Sequence, residues 1–303
     1  MKRGIYLVAN ANSQELCANL INSIRVSGCN LPIRLIHFGG KMIDSPYLLS
    51  ETEVLHYENF PEQAKEFIHN LRTVLTDCPL GYLYRFLAWF SDWDEFIYSD
   101  NDVVSLSNWE NLFDYLNEYD LIHADEEYRT DGKFNYDKPM KIKEIFGDFS
   151  LETAFTAGHF VVRKNNSMIE DIDSAIEWFK MNPDVPKKHD QSLIHIASLI
   201  GKWKILNLCK APNNWLSSWA GDYKNTLQII QELQNKKTNI SHIHYSGGTP
   251  KGNLAIQDLL FSISTNKERL RKLWLISTGH LSGYNYLTNK YSRLIFKIKM
   301  KHV

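Results

Sequence analysis

Short apolar runs alternate with stretches of helical periodicity along the amino-terminal third of the chain. Gly4 to Ala9, Leu31 to Phe38 and Val54 to Tyr57 are rich in large apolar side chains, which predicts three strands. Between the first two, Ser13 is a suitable N-cap for a helix that continues to about Val26. Strands that alternate with helices usually form a mainly parallel sheet covered on both faces, and we predict that architecture here.

The same alternation continues through the middle of the chain. A predicted helix from Tyr82 to Phe90 precedes an apolar strand from Phe96 to Val104. The spacing from Trp109 to Asn117 is amphipathic, and Leu121 to Ala124 predicts another strand. Asp125 to Glu152 is polar and low in apolar periodicity, so we expect a long loop or lid there.

The later elements extend the α/β pattern. Phe155 to Arg163 predicts a strand, Ser167 to Met181 and Asp190 to Leu199 predict helices, and Ile240 to His244 predicts a last strand. The predicted fold class is therefore α/β, a mainly parallel sheet flanked by helices. In such sheets ligands bind beyond the carboxyl ends of the strands.

The composition is that of a soluble globular protein, with 303 residues, 44% hydrophobic and 23% charged. The formal net charge of -1 provides no field that attracts nucleic acid. The four cysteines include no C-x-x-C pair, which fits a reducing compartment better than a zinc site or a disulfide framework. The start of the chain lacks the apolar segment of a signal peptide, and no run reaches the ~18 apolar residues of a membrane span. We therefore expect a cytoplasmic enzyme.

The carboxyl-terminal tail differs in character from the rest of the chain. No acidic residue occurs from Arg269 to Val303, and basic and apolar side chains alternate near its end. We therefore divide the chain into a catalytic domain at residues 1–265 and a basic amphipathic extension at residues 266–303. Such an extension is typical of contact with an anionic membrane, and the alternative is a terminal helix packed on the domain with its lysines outside.

Two aspartates separated by one residue follow the apolar segment that begins at Phe96. In an extended backbone Asp100 and Asp102 project to the same side, and two converging carboxylates need a cation or a proton. A divalent metal would satisfy both and could also bind a phosphate. The alternative is a solvated turn, since Asp and Asn favour turns.

Three other segments carry side chains that complement these carboxylates. Arg85 lies in the helix before the aspartates and could pair with Asp100 or with a phosphate. Asp190 and Gln191 open a helix, and the segment from Ser241 to Lys251 offers imidazoles, a glycine turn and a lysine. Each segment has a simpler explanation as well: a surface ion pair, an aspartate N-cap, core histidines and an ordinary turn.

The order of these motifs resembles that of GT-A fold nucleotide-sugar glycosyltransferases. Among them it is similar to the retaining glycosyltransferase family 8, which includes glycogenin and bacterial lipopolysaccharide galactosyltransferases. That family has an arginine-bearing helix, D-x-D, an asparagine-alanine-glycine strand, an aspartate-glutamine helix start, and H-x-x-G followed by a lysine. The corresponding segments here are Tyr84-Arg85-Phe86, Asp100-Asn101-Asp102, Thr156-Ala157-Gly158, Asp190-Gln191 and His244-Tyr245-Ser246-Gly247 with Lys251. The resemblance extends from about Arg3 to Lys251.

The resemblance implies a metal site with two carboxylates and one imidazole. The imidazole favours Mn²⁺ over Mg²⁺, because a nitrogen ligand suits the later metal better. Together with the metal, Lys251 and the amides of Gly247 and Gly248 would neutralise the leaving nucleoside diphosphate. The metal ligands implied are Asp100, Asp102 and His244.

The resemblance also implies roles for the residues around that site. Gln191 would stabilise an oxocarbenium-like state, and Asp190 and Asp125 would each accept a bond from a sugar hydroxyl. Arg85 would orient the aspartates or the donor sugar. The other donor contacts implied are Asn101, Ala157, Gly158, and the backbone of Ala9 and Asn10, which would face the nucleotide base.

Three features depart from the family pattern. Thr156 replaces an asparagine, which affects the expected sugar contacts. Asn10 and Asn12 occupy the first loop, where an aspartate is usual, and this affects the preference for uracil. The segment Gly248-Thr249-Pro250-Lys251 replaces a lysine-proline-tryptophan ending.

The residues and the resemblance together predict a metal-dependent hexosyltransferase. It would move a sugar from a nucleotide-diphosphate donor, with UDP favoured, to a glycan or lipid-linked glycan in bacterial surface polysaccharide or lipopolysaccharide synthesis. We expect retention of configuration and a cytoplasmic location, with peripheral contact at the inner face of the plasma membrane if the tail binds lipid. An inverting GT-A enzyme with Asp190 as base and a non-catalytic nucleotide-sugar-binding protein are the alternatives. A phosphatase of the haloacid dehalogenase type is disfavoured, because several strands precede the two aspartates.

Overall fold

Nine strands form two sheets in the computed structural model, which describes residues 1–125, 132, 134–165, 167–224, 226–235 and 239–246. The strands are β1 (Arg3–Ala9), β2 (Ile33–His37), β3 (Glu53–His56), β4 (Glu95–Ser99), β5 (Val103–Ser105), β6 (Leu121–His123), β7 (His159–Arg163), β8 (Ile205–Asn207) and β9 (His242–His244). Seven of them form the central sheet in the order β3-β2-β1-β4-β7-β6-β8, and β5 pairs with β9 in a small second sheet.

The central sheet is mainly parallel, which confirms the predicted fold class. β1 runs parallel to both β2 and β4, and the pairs β2–β3 and β6–β8 are parallel as well. Only β7 opposes its neighbours, β4 and β6. The chain leaves β1 towards β2 and β3 and then returns to place β4 on the other side of β1. The order therefore reverses between β1 and β4, and a ligand crevice is expected at the carboxyl ends of these two strands.

Helices cover both faces of the central sheet. The α-helices are α1 (Gln14–Val26), α2 (Pro46–Glu51), α3 (Glu62–Val74), α4 (Leu80–Leu83), α5 (Pro139–Phe146), α6 (Ser167–Met181), α7 (Asp190–Ile200) and α8 (Thr226–Asn235). Short 3-10 helices occupy Tyr57–Asn59, Tyr84–Phe90, Trp109–Asn117, Ser150–Thr153 and Ala220–Asp222. Within the described ranges, no helix is long and apolar enough to cross a membrane.

Alternation of side chains along the strands divides the core between the two faces. On β4, Phe96 and Tyr98 point into the cluster that also contains buried residues of α3, α6 and α7, such as Phe67 and Leu193. Ile97 points to the opposite face and joins the cluster with residues of α1 and the 3-10 helix that begins at Trp109. A strand that is apolar at every position is the pattern expected of a sheet buried on both faces.

The predicted strand from Phe96 to Val104 is divided in the structure. β4 ends at Ser99, a turn follows at Asn101 and Asp102, and β5 then joins the second sheet rather than the first. The Asn101 side chain donates to the Val8 carbonyl at 2.7 Å and so fixes this turn against the end of β1. An Asp-Asn-Asp sequence favours a turn over a continuous strand, and that preference decides the outcome here.

Other differences from the predicted elements have local causes. The polar segment predicted as a loop contains α5, an amphipathic helix with proline in its first turn and only Ile142 buried. Gly147, at φ +101°, ends that helix. The helix predicted from Tyr82 to Phe90 is divided between the end of α4 and a 3-10 helix at Tyr84–Phe90, and the amphipathic segment Trp109–Asn117 is a 3-10 helix. β8 and α8 were not predicted, because a three-residue strand carries too little periodicity and α8 is mostly polar. The boundary predicted at residues 265 and 266, and the whole tail, lie outside the described residues.

Candidate active site

Two carboxylates and one imidazole converge beyond the carboxyl end of β4. Asp100, Asp102 and His244 each offer a ligand atom, and these atoms all lie within 4.8 Å of one another. The His244 Nε2 atom is 3.3 Å from the Asp102 Oδ1 atom and 3.9 Å from the Asp100 Oδ2 atom. These three residues are those that the resemblance implied as metal ligands.

Pairing of the second sheet brings His244 to the aspartates. β5 follows directly after Asp102, and its first residue, Val103, lies opposite His244 in the antiparallel pair with β9. The Tyr245 amide donates to the Asp102 carbonyl at 2.9 Å, and the Asp100 amide donates to the Gly158 carbonyl at 2.7 Å. The aspartates therefore converge through a turn, and the explanation from an extended backbone was wrong.

Arg85 is buried beneath the turn and binds two carboxylates at once. Its guanidinium lies 3.1 Å from the Asp100 Oδ1 atom and 2.8 Å from the Asp190 Oδ2 atom, and it also donates to the Ala157 carbonyl. Burial alone would lower the pKa of Arg85, but the two carboxylates outweigh burial and the pKa is raised. Arg85 is therefore a permanent buried cation rather than a surface ion-pair residue.

Burial outweighs the nearby cations in its effect on the pKa of Asp100. Burial raises the pKa of Asp100, the charge of Asp102 raises it further, and Arg85 and His244 lower it. The Tyr98 hydroxyl donates to the Asp100 Oδ1 atom at 2.7 Å. The net result is a raised pKa, chiefly because burial disfavours the charged form of the carboxyl group. Two carboxylates with an imidazole are also a suitable donor set for a divalent ion, and the three residues could hold one.

Three consecutive residues before β7 each contact a different part of the site. Thr156 donates to the Asp125 Oδ2 atom from its amide at 3.3 Å and from its hydroxyl at 3.1 Å. The Ala157 carbonyl accepts from Arg85. Gly158 packs against the imidazole of His244 so closely that a Cβ atom would lie 2.0 Å from its Cε1 atom. The segment therefore holds Asp125, Arg85 and His244 in fixed relation to one another.

Asp125 lies at the end of β6, where the resemblance implied a contact to a sugar hydroxyl. Its side chain is buried, with the His123 Nδ1 atom 3.4 Å from its Oδ2 atom. Its Oδ1 atom has no hydrogen-bond partner among the described residues. The Asn207 side chain donates to the Asp125 carbonyl at 2.9 Å and ties β8 to this position.

The start of α7 faces the same region. The N-cap position belongs to His189, and the Asp190 side chain is instead directed to Arg85, so the explanation of Asp190 as an N-cap was wrong. The side-chain amide of Gln191 donates to the Asn135 Oδ1 atom at 2.7 Å and to the Phe134 carbonyl at 3.2 Å. Both residues are thus held by long-range contacts.

A cleft of about 370 Å³ opens in front of the aspartates. Its lining includes Val8 from β1, Leu16 from α1 and the aromatic side chains of Phe38 and Tyr82. Sequence reasoning missed both aromatic residues, although Tyr82 lies in the same motif as Arg85. The Asn10 side chain accepts from the Asn12 amide at 3.0 Å, which closes the first loop beside this cleft.

Histidine side chains behind the metal-ligand candidates belong to the core. His159 and His242 are buried with ring centroids 3.9 Å apart, and Trp109 packs edge-on against His159. Burial lowers the pKa of His159 to about 3. The explanation as a core residue is therefore correct for His242, whereas His244 lies at the site. The predicted phosphate contacts Gly247, Gly248 and Lys251 lie outside the described residues.

Comparisons with known proteins agree with this geometry. Residues 2–124 match the family model described as "Mannosyltransferase putative". The apo structure of the bifunctional glycosyltransferase WbbM aligns over 88% of this chain and 50% of its own, with 16% identity and a TM-score of 0.56. This chain therefore spans half the length of WbbM. No curated protein matches the sequence.

Two further solved structures share the fold over nearly their whole length. The galactosyltransferase LgtC, in complex with donor and acceptor sugar analogues, aligns over 89% of this chain and 99% of its own, with 16% identity and a TM-score of 0.54. Mouse xyloside xylosyltransferase 1, in its apo form, aligns over 83% of this chain and 100% of its own, with 10% identity and a TM-score of 0.53. The chain therefore has the GT-A fold of these glycosyltransferases, and residues 2–124 are similar to a family described as putative mannosyltransferases.

Proposed function

We propose that this protein transfers a hexose from a nucleotide-diphosphate sugar to a glycan acceptor and depends on a divalent metal. The observation that carries the proposal is the convergence of Asp100, Asp102 and His244 at the point where the strand order reverses. A nucleotide-diphosphate donor suits this site, because the diphosphate can share a metal with protein carboxylates.

The three candidate ligands would hold the metal, with Mn²⁺ favoured over Mg²⁺ because one ligand is an imidazole. When bound, the metal supplies positive charge to the departing diphosphate. Arg85 keeps Asp100 and Asp190 in place through contacts of 3.1 and 2.8 Å. Gly247, Gly248 and Lys251 are proposed as further diphosphate contacts, and Ala9, Asn10 and Asn101 as donor contacts.

We propose a retaining reaction with Gln191 beside the anomeric carbon. An inverting reaction needs a free carboxylate base next to the acceptor hydroxyl. Asp190 suits that role poorly, because it is buried and its charge is paired with Arg85 at 2.8 Å. Asp190 and Asp125 are proposed instead as acceptors for sugar hydroxyls. The Asp125 Oδ1 atom supports this role, because it has no hydrogen-bond partner within the described part of the chain. The stereochemistry of the product, determined by NMR, decides between the two reactions.

The experiment that tests the function is a donor screen with and without Mn²⁺. UDP- and GDP-linked hexoses are incubated with the protein, and release of the nucleoside diphosphate is measured. Mannosyl and galactosyl donors come first, in view of the family match and of LgtC. We expect Asp102→Ala to abolish the Mn²⁺-dependent release, while Asp114→Ala, a change of an exposed aspartate on the 3-10 helix, leaves it intact. Lack of release from every donor would contradict the proposal.

The acceptor and the cellular site are further proposals that rest on the tail. A basic, apolar segment suits a lipid-linked glycan at an anionic membrane, as in bacterial surface polysaccharide synthesis. Co-sedimentation with vesicles tests this contact. Binding to vesicles that contain phosphatidylserine but not to pure phosphatidylcholine is expected, and equal binding to both would contradict an electrostatic contact.

A further inference from the structure

A buried tyrosine hydroxyl contacts one of the candidate metal ligands. Tyr98 lies in β4, two residues before Asp100, and its side chain is almost fully buried at the floor of the cleft. Its hydroxyl donates to the Asp100 Oδ1 atom at 2.7 Å. Groups that form hydrogen bonds to a metal ligand fix the orientation of that ligand, and Tyr98 is placed to do so here.

The ring of Tyr98 is held in place by its neighbours. In the central sheet Tyr98 lies opposite Tyr6 on β1 and opposite Phe160 on β7. The Phe160 ring stacks against it, with ring centroids 5.3 Å apart and an interplanar angle of 25°. The Cζ atom of Arg85 lies over the ring, 4.7 Å from its centroid. Because both the backbone and the ring are packed, the position of the hydroxyl is set before any ligand binds.

The carboxylate of Asp100 is less constrained than this tyrosine. Its side chain is 24% exposed, so packing alone does not fix its orientation. The Arg85 Nη2 atom lies 3.1 Å from Oδ1 and 3.4 Å from Oδ2, and the His244 Nε2 atom lies 3.9 Å from Oδ2. A guanidinium favours two parallel bonds to a carboxylate, so Arg85 by itself would draw Oδ2 away from His244. The bond from Tyr98 to Oδ1 opposes that rotation.

We propose that Tyr98 is a positioning residue of the metal site, whose hydroxyl keeps the Asp100 Oδ2 atom directed towards His244. This inference rests on the metal dependence in the proposed function. The ring of Tyr98 contributes packing, whereas the hydroxyl contributes the orientation of Asp100. The two contributions can be separated, because Tyr98→Phe removes the hydroxyl and keeps the ring.

The test compares the Mn²⁺ affinity of Tyr98→Phe with that of a matched control, Tyr6→Phe. Tyr6 lies directly opposite Tyr98 in the sheet, belongs to the same core cluster and is equally buried, but its hydroxyl donates to Ser91 and not to the site. The free ion is followed by electron paramagnetic resonance during a Mn²⁺ titration of the full chain. Tyr98→Phe is expected to weaken binding by about tenfold or more, and Tyr6→Phe should bind Mn²⁺ like the wild type.

A second measurement covers the case in which a variant is less stable. A ligand that binds only the folded state raises its stability with the logarithm of the affinity, so Mn²⁺ should raise the urea midpoint of the wild type. This rise should be smaller in Tyr98→Phe and unchanged in Tyr6→Phe, whatever the midpoint of each variant without metal. A purely structural role of the hydroxyl would lower the midpoint and leave the rise unchanged.

Two results would overturn the role of Tyr98 and leave the proposed function standing. One is wild-type Mn²⁺ affinity in Tyr98→Phe. The other is an equal loss of affinity in Tyr6→Phe, because the loss would then follow from the removal of any buried hydroxyl in this core. If the wild type itself binds no Mn²⁺, the metal dependence in the proposed function fails together with this inference, and that result is seen without any variant.

Discussion

Gly158→Ala is the change that tests the geometry of the site most directly. A Cβ atom at this position would lie 2.0 Å from Cε1, 2.5 Å from Nδ1 and 2.8 Å from Nε2 of His244. To restore an ordinary contact of 3.4 Å, the imidazole would have to move by about 1.4 Å. The backbone itself is not strained by alanine, because Gly158 is not among the glycines with positive φ.

The expected consequence is the loss of the imidazole as a metal ligand. Zinc–nitrogen bonds in proteins are about 2.0–2.1 Å long, and a displacement of more than 1 Å is too large for a comparable metal bond to survive. We expect Gly158→Ala to weaken Mn²⁺ binding by at least the ~10- to 100-fold typical of changes to residues that orient metal ligands, and as much as His244→Ala does. Overpacking should also destabilise the fold by about 1–3 kcal/mol.

The assay is a Mn²⁺ titration followed by electron paramagnetic resonance of the free ion, together with urea unfolding. The double variant Gly158→Ala/His244→Ala provides the internal control. Removal of the imidazole leaves room for the new methyl group, so the double variant should be more stable than additivity of the single variants predicts. Full Mn²⁺ affinity in Gly158→Ala would refute the reasoning, and so would strictly additive stabilities.

Three further predictions concern buried groups around the site. Arg85→Met should lower the free energy of unfolding by about 3–5 kcal/mol, because it leaves Asp190 buried and unpaired. Urea unfolding measures this change, and a variant as stable as the wild type would contradict the prediction. His159 has a pKa lowered by burial from 6.5 to about 3, so between these values only the unfolded state takes up the proton and stability falls as the pH falls. At pH 5 the loss is about 2 kcal/mol, and His159→Phe should remove that part of the pH dependence of unfolding, whereas an unchanged slope would show that His159 does not cause it. Thr156→Val removes one hydrogen-bond donor from Asp125 and should lower the free energy of unfolding in urea by about 1–3 kcal/mol. Thr156→Ser keeps the hydroxyl and should lower it less. If Thr156→Ser were the less stable variant, the hydrogen bond would be excluded as the cause.

The sheet and the ligand candidates could be predicted because their signals are local. An unbroken apolar run predicts a buried strand such as β1. Asp100 and Asp102 are separated by one residue, so any compact local conformation brings their side chains close together. The conformation predicted for the two aspartates was nevertheless wrong, because a turn and not an extended strand brings them together. His244 could be predicted as a metal ligand only through the resemblance, because no local pattern connects it with the turn that follows β4.

The remaining features depend on contacts that the sequence does not display. The resemblance implied Gly158 only as a donor contact. Its packing role becomes visible only in the structure, where β9 brings the His244 imidazole against it. Thr156 stands where the resemblance led us to expect an asparagine, and this affected the expected sugar contacts. In the structure its hydroxyl donates to Asp125. In each case the physical reason lies in a partner from a distant element, which periodicity cannot reveal.

The short segment before β7 explains how a divergent chain can keep the geometry of its site. Asp125, Arg85 and His244 come from three different elements, yet three consecutive residues hold them. Thr156 and Ala157 form hydrogen bonds with Asp125 and Arg85, respectively. Gly158 packs directly against His244. The Ala157 contact uses a backbone carbonyl and therefore constrains the side chain at that position very little. Substitution of the asparagine by threonine is tolerable under this arrangement, since the hydroxyl still reaches a carboxylate. A larger residue at Gly158 is not tolerable, because the imidazole of His244 already fills the space that its side chain would need. The aspartate pair and its histidine thus depend on a glycine whose missing side chain leaves room for the imidazole.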